Sequence, residues 1–551
     1  MVSSTELLVS PPSITLSYSV PPARPCFSPR SSNTSCCMDP PLKASPLPNL
    51  SLNRLSSELL ALVFEQLRDI DLHTLTSVRL VSTRFDAIAT PISYRFLILN
   101  ERLVAPDAGR RYPNTFRHIS FFTNHVTIPS NLDPTGINSL LSCIKRLKSV
   151  RWRYVEGDIP AAGLWLPSDL RLLHNCNPTS TQLYIDNLPL RRDFDGNPLD
   201  TFTKSIPPEL LTSLKLANPT PVLSTRLNSL KKLLVEASRL NTLRYEDRGQ
   251  GTCFNFVPGE RMPPLTNMLL RSYDWHHNAE EVRKHWDFSR INALELVSVP
   301  IFNFLSSVSF KDFSRLHTLH VEDYSAHLSD KREDATTGLN VLVKDHIKAL
   351  EVLNITCHTR LFQLDAITAH RQSLRVLRFR DHVGFSEDDQ RCPTLAPSDL
   401  AQLSQQLKLV HTLELDLDVM LCDAVPFLRA ICAFPTVHTL TLHVQTMIQP
   451  LEEVSPGIDR DYEAAIKTFR LLIQEKERLG SHTPWKRIAV NVGGWKRVMV
   501  RRLGSAWRRR NEMGIYAERC FVLERDAQNG KMTVREEVCV ENTSRGGSPG
   551  P

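Results

Sequence analysis

The sequence predicts an α/β protein in which a small helical unit near the N-terminus precedes a long array of repeated strand-and-helix units. Two observations lead to this fold class. Between residues 52 and 100, apolar residues follow helical spacing in three short runs. Further along, a short apolar pattern typical of a strand returns, in its regular part, every 24 to 36 residues, with helical stretches between the copies.

Length and composition set the limits of this prediction. The chain has 551 residues, which is more than one compact core holds unless the architecture is a repeat. Apolar residues make up 41% of the chain, which is enough to fold, and a net charge of +7 is mild for this length. This charge does not by itself indicate a nucleic acid or a membrane surface as the partner.

Targeting signals and cysteine spacing point to a reducing compartment. The sequence contains neither a basic N-terminal region followed by an apolar core nor a run of about eighteen apolar residues. Its twelve cysteines are scattered, without a Cys-x-x-Cys pair. We therefore expect free thiols, no structural metal, no cofactor, no membrane association, and a cytoplasmic and/or nuclear location.

Residues 1–50 differ in composition from the rest of the chain. They hold 10 Pro and 11 Ser, a composition that cannot bury a core. We expect a disordered, solvated tail. Residues 541–551 are predicted to form a second loose polar tail.

Three short helices are predicted between residues 51 and 100. Ser56 or Ser57 can cap the first, Asp71 the second and Ser82 the third. Pro91 fits a helix start or a kink better than an unbroken helix. So small a unit buries little apolar surface, so we expect it to pack on a neighbour or a partner. Leu80 and Val81, between the second and third helices, are expected to be a buried pair. The apolar residues assigned to the three helices in turn are Leu55, Leu59, Leu62, Val63, Phe64 and Leu67; Leu72, Leu75 and Val78; and Phe85, Ile88 and Ala89.

The order of these residues, from Leu55-x-x-Glu58-Leu59 through Val78-Arg79-Leu80-Val81-Ser82 to Tyr94, resembles an F-box of the type found in filamentous fungi. The match covers about fifty residues, and it departs from the family at Ser56, where a proline usually follows the leucine. The resemblance implies binding to the Skp1 adaptor. The residues that it implies form or support the adaptor surface are Leu55, Leu59, Phe64, Leu67, Leu72, Val81 and Phe85.

The repeated pattern after residue 100 is apolar-x-x-apolar-x-apolar. From Leu211 to Val437 its starts are separated by 29, 25, 26, 25, 34, 24, 36 and 27 residues. A short strand pattern at such a period is similar to a leucine-rich repeat, although the steps are irregular and most copies lack the usual asparagine. We expect parallel strands stacked in chain order around one shared core. The copies begin at Phe116, Leu147, Leu211, Leu240, Leu265, Ile291, Leu316, Leu350, Leu374, Val410, Val437 and Trp485, with a degenerate copy at Leu183.

Polar residues of these copies are predicted to face away from the core. Their charges are mixed, which argues against a surface that tracks phosphates. Arg378 and Arg380 precede Glu414 and Asp416 of the next copy, and we expect ion pairs across these strands rather than a ligand site.

The sequence contains no recognised catalytic motif. His276, His277 and His285 lie near two glutamates, but the spacing matches no metal motif and favours a solvated helix face. No nucleophile has a base nearby in a recognised motif. The sequence therefore predicts a protein that is not an enzyme.

The C-terminal part is more basic. Residues 495–510 predict an amphipathic helix that caps the array, and a nuclear-import or nucleic-acid patch is the alternative. Two strands about Asn529-Gly530 predict a hairpin. The predicted domains are a tail (1–50), the F-box (51–100), the leucine-rich-repeat-like solenoid (101–494), the capping helix and hairpin (495–540) and a tail (541–551).

Together, the resemblance and the array predict the substrate-recognition subunit of a Skp1-cullin-F-box ubiquitin ligase. The Ubl-conjugation machinery would be reached through Skp1 and a cullin, and the array would bind an unknown protein target. The alternative is an F-box scaffold that acts outside ubiquitination, at chromatin through the basic C-terminal helix. Nucleic acid is the less favoured partner.

Overall fold

The structure of the protein is a computed structural model, and it describes residues 52–155, 181–188, 206–216, 227–247, 252–323, 329–381, 394–419, 421–444, 459–480, 483–492, 519–526 and 530–538. The expected tails and the expected capping helix at residues 495–510 lie outside these ranges.

The described residues form a mixed α/β structure around a single sheet of sixteen strands that follow one another in chain order. This confirms the predicted α/β class. Neighbours from β1 to β14 pair in parallel, and β14, β15 and β16 pair antiparallel. The strands are β1 Phe96–Ile98, β2 His125–Pro129, β3 Ser149–Arg153, β4 Gln182–Leu188, β5 Leu211–Leu216, β6 Thr242–Glu246, β7 Asn267–Arg271, β8 Ala293–Val299, β9 Thr318–Asp323, β10 Val352–Cys357, β11 Val376–Asp381, β12 Thr412–Leu417, β13 Thr439–Val444, β14 Arg487–Val492, β15 Arg519–Arg525 and β16 Met532–Val538.

Fifteen α-helices accompany the sheet in the described ranges. They are α1 Ser57–Ile70, α2 Leu72–Val78, α3 Thr83–Tyr94, α4 Glu101–Val104, α5 Ala108–Arg111, α6 Pro113–Phe122, α7 Pro134–Cys143, α8 Leu227–Glu236, α9 Ala279–His285, α10 Ile301–Ser307, α11 Arg332–Val341, α12 Leu364–Thr368, α13 Pro397–Gln406, α14 Ala424–Cys432 and α15 Arg460–Arg478.

One core runs along the sheet because apolar side chains of the strands alternate with polar ones and stack in register. Leu353 of β10 lies beside Leu377 of β11, which lies beside Leu413 of β12, and each is almost completely buried. Helix residues such as Leu403 and Phe427 belong to the same buried cluster. Each unit therefore buries its apolar side against the next unit rather than within itself.

The turn before each strand is held by a recurring backbone contact. The carbonyl of Arg375 accepts hydrogen bonds from the N–H groups of His411 and Thr412, and the carbonyl of His411 accepts from those of His438 and Thr439. This contact places the residue before one strand beside the residue before the next. Backbone hydrogen bonds therefore also join neighbouring turns at the edge where the strands begin.

Helices α1–α3 form a separate small core next to β1. Phe64 and Phe85 meet edge to face, with 5.4 Å between ring centroids, and both are buried together with Leu60 and Leu75. The caps confirm the predicted helix starts. Ser56 accepts a hydrogen bond from the N–H of Leu59 at 3.3 Å, and Asp71 and Ser82 cap α2 and α3 in the same way.

Two expectations about the sequence pattern are wrong. The copy at Phe116 is not a strand but part of α6, because an apolar i, i+3 spacing also suits a helix and Pro113 provides its first turn. Strands β1 and β2 were not expected.

Pro91 lies inside α3, which ends three residues later at Tyr94, so the proline does not begin a new helix.

The C-terminal hairpin is confirmed. β15 and β16 pair antiparallel, and Gly530 adopts a positive φ of 68° in the connection, a conformation that glycine adopts without strain. Arg519 at the start of β15 forms an ion pair with Asp459, which fixes the hairpin to the beginning of α15, and a second one with Glu536 of β16 within the hairpin.

Candidate functional site

The N-terminal helical unit, including the turn between α2 and α3, exposes an unusual amount of apolar surface. Eight of the eighteen large apolar side chains exposed in the described ranges lie between residues 52 and 81. We call this set the apolar helical surface. It consists of Leu52, Leu59, Leu62, Val63, Ile70, Leu72, Leu80 and Val81.

This surface corrects the expected burial of several residues. Leu72 is 54% exposed, and the expected buried pair is instead open to solvent, since Leu80 is 88% and Val81 67% exposed. The reason is geometric. Each helix of so small a unit has only one face turned to the others, and α1 uses Leu60 and Phe64 for that face.

The seven residues implied by the resemblance divide into two groups. Leu59, Leu72 and Val81 are exposed and belong to the apolar helical surface. Phe64 and Phe85 are buried, and Leu55 and Leu67 are partly buried against them. The second group can therefore support the surface from inside. The set implied by the resemblance does not include Leu80 and Ile70, although both are strongly exposed.

The helical unit is joined firmly to the start of the sheet. Arg95 pairs with Glu65 of α1 at 2.7 Å, and the guanidinium of Arg68 lies 4.5 Å from the centroid of the Phe96 ring. The hydroxyl of Thr123 donates to the carbonyl of Tyr94 at 2.9 Å. A partner on the apolar helical surface would thus be held in a defined orientation relative to the first strands.

Ion pairs run along the polar face of the sheet, as expected. Arg378 contacts Glu414 at 3.3 Å and Arg380 contacts Asp416 at 3.2 Å. Burial opposes ionisation of Glu414, but a hydrogen bond with His443 at 2.7 Å and the two arginines outweigh it and lower its pKa to about 2. These polar groups are largely satisfied by one another.

A second paired group on this face centres on His320. Its Nδ1 lies 3.4 Å from Glu295, and its Nε2 lies 3.4 Å from Glu322. Burial disfavours the charged ring, yet the two carboxylates outweigh burial and raise the pKa of His320. This arrangement favours a charged imidazole between two carboxylates.

The expected solvated helix face around His277 is wrong for two of its three histidines. His276 is exposed, but His277 and His285 are buried among aromatic rings that include Phe256 and Trp286. The loop 252–264 folds over α9 and supplies Phe254 and Phe256, which the sequence pattern alone did not connect to the histidines. No cluster in the described ranges combines three or more His, Cys, Asp or Glu side chains in a metal-binding arrangement.

Comparisons with known proteins add no family to this description. No family model matches the chain. No curated protein matches it either. Among the helices that the structure describes, none is both long and apolar enough to cross a bilayer.

Proposed function

We propose that the chain is a non-catalytic substrate receptor of a Skp1-cullin-F-box ubiquitin ligase. Residues 51–100 would act as the F-box, and the strand-and-helix array would act as a leucine-rich-repeat-like solenoid that holds a protein target. The chain would speed ubiquitin transfer by bringing a target lysine close to a separate enzyme.

The observation that carries this proposal is the apolar helical surface. An exposed apolar patch on a small unit is typical of a protein interaction site, because burial of each such side chain on a partner is favourable by roughly 1.5–3 kcal/mol. Leu59, Leu72 and Val81 belong both to this surface and to the set implied by the F-box resemblance.

The array supports the second half of the proposal. Its strands present a polar face along fifteen successive pairings, and at a spacing of about 4.8 Å per strand this face is roughly 70 Å long. A surface of that length can hold a protein segment while the helical unit at its beginning holds the adaptor.

Charge insertion on the apolar helical surface tests the adaptor site. Leu59→Lys, Leu72→Lys and Leu80→Lys each place a charge where an adaptor would have to bury it unpaired, so we expect loss of co-purification with Skp1. All three positions are exposed in the free chain, so thermal unfolding should remain that of the wild type. Leu361→Lys is the matched control, because Leu361 is 41% exposed but lies outside the helical unit.

The outcome is read from Skp1 and a cullin together. Undiminished Skp1 co-purification with all three variants would refute this adaptor surface. Retention of Skp1 by the wild type without any cullin would favour the scaffold function over the receptor function.

A further inference from the structure

A row of basic side chains marks the edge at which β11 to β14 begin. Arg375, His411, His438 and Lys486 immediately precede these four strands. The carbonyl contacts between consecutive turns hold them side by side. At about 4.8 Å per strand, the row is roughly 14 Å long. We call it the basic rim.

The two histidines at its centre are arranged alike. Their rings are stacked with centroids 5.3 Å apart and an angle of 6° between the planes. Nδ1 of His411 lies 3.0 Å from the hydroxyl of Thr412, and Nδ1 of His438 lies 2.9 Å from that of Thr439. When each hydroxyl donates to Nδ1, the ring proton is on Nε2, which has no hydrogen-bond partner in the described ranges.

The ends of the row carry permanent charge that is not neutralised. Arg375 and Lys486 are exposed, and neither forms an ion pair within the part of the chain that the structure describes. Most other basic side chains near the sheet are paired, as Arg378 is with Glu414. The basic rim therefore differs from the polar face beside it, where the charged side chains pair with one another.

The local electrostatics around the two histidines favour an anion. The pKa of both histidines is lowered, by burial first and then by surrounding cations. The charged groups that act on the two rings are Arg375, Lys486, the buried Lys476 of α15 and, for His438, His411 itself; no carboxylate is among them. A bound anion would remove this repulsion.

We propose that the basic rim binds a short acidic segment of a partner protein through carboxylate or phosphate oxygens. Two parallel Nε2–H donors between a guanidinium and an ammonium suit oxyanions. A nucleic acid is less suited, because the row spans only four strands and an acidic residue, Glu351, occupies the equivalent position on the neighbouring turn before β10. The role of the basic rim as the target site of a ligase receptor rests on the proposed function. Its binding of an acidic segment does not.

Fluorescence anisotropy of the full chain with a labelled Asp/Glu-rich peptide tests this. The same sequence with Asn and Gln, and a version with phosphoserine in place of the acidic residues, distinguish charge from phosphate. We expect the acidic or phosphorylated peptide to bind and the uncharged one not to bind. Arg375→Gln combined with Lys486→Gln should weaken binding by at least about tenfold. Arg290→Gln, an exposed arginine near the start of β8, is the control that should bind like the wild type.

The pH dependence separates the rim from nonspecific charge. Binding should tighten as pH falls from about 7.5 to about 6, because the anion favours protonated histidines. His411→Gln combined with His438→Gln should remove this tightening. Equal binding of the uncharged peptide, or unchanged binding by the Arg375/Lys486 variant, would refute the proposal, and tighter binding of a single-stranded oligonucleotide by the same residues would replace the acidic peptide as ligand.

The assay contains no adaptor, so its result is distinct from that of the Skp1 experiment. Peptide binding without Skp1 binding would support the basic rim as a binding site and refute the receptor function. Skp1 binding without peptide binding would support the receptor function and refute the basic rim.

Discussion

Replacement of His277 by glutamine is expected to flatten the acid dependence of the stability of the region around α9. His277 Nε2 lies 2.8 Å from the Tyr273 hydroxyl, which itself accepts the N–H of Phe254 at 2.8 Å. With the ring proton of neutral His277 on Nδ1, the tyrosine hydroxyl donates to Nε2, and protonation of Nε2 would remove the acceptor of that hydrogen bond. Glutamine keeps an oxygen acceptor but has no proton to gain.

The magnitude follows from the pKa of His277, which burial among aromatic rings lowers from 6.5 to about 4, against the weaker opposing effect of Glu281. Between these values the unfolded chain binds more protons than the folded chain, so stability is complete above pH 6.5 and falls as the pH approaches 4. From about pH 7 to about pH 4.5, His277 should reduce the free energy of unfolding by about 2 kcal/mol.

Hydrogen exchange measured by mass spectrometry suits this question, because an array of stacked units need not unfold in one step and exchange reports local opening. Peptides covering residues 268–288 should lose protection between the two pH values in the wild type, after correction for the intrinsic exchange rate. In His277→Gln they should lose about 2 kcal/mol less. His276→Gln, at the exposed neighbour, is the control and should behave like the wild type. Identical pH dependence in His277→Gln and wild type would refute the reasoning.

Three further variants test packing and burial. Phe85→Ala empties part of the small helical core and should destabilise that unit by about 3–5 kcal/mol, measured as loss of exchange protection in residues 57–94 but not in the sheet. Gly136→Ala should destabilise the first repeats by about 1–3 kcal/mol in urea unfolding, because the added methyl would collide with the backbone carbonyl of Val104; wild-type stability would contradict the close approach of α4 and α7. Burial raises the pKa of Asp381 to about 7, so ionisation of this carboxyl destabilises the fold as the pH rises from 3.8 through 7. Asp381→Asn should therefore be more stable than the wild type by about 2–4 kcal/mol at about pH 8 and by little at about pH 4. A stability gain that does not depend on pH would refute this.

The polar residues show where prediction from the sequence ended. The Arg378–Glu414 and Arg380–Asp416 pairs could be predicted because residues at equal positions of neighbouring copies must become neighbours in a stacked sheet. The neighbouring positions of His411 and His438 follow from the same rule, but sequence spacing does not reveal that cations from other segments, Lys476 and Lys486, help to lower the pKa of these rings.

The sequence by itself determined the α/β class, twelve of the sixteen strand positions in the repeated pattern, the C-terminal hairpin, the caps Asp71 and Ser82, and a cap at Ser56 or Ser57, of which the structure has Ser56. These features depend on short-range geometry, in which an apolar period or a capping side chain acts on residues a few positions away. Only the tertiary structure decided that Leu72, Leu80 and Val81 are exposed, that Phe116 is helical, and that His277 is buried under the loop 252–264. The physical reason is that burial depends on which distant segment covers a side chain. The same apolar residue types occur in a core and on an exposed surface.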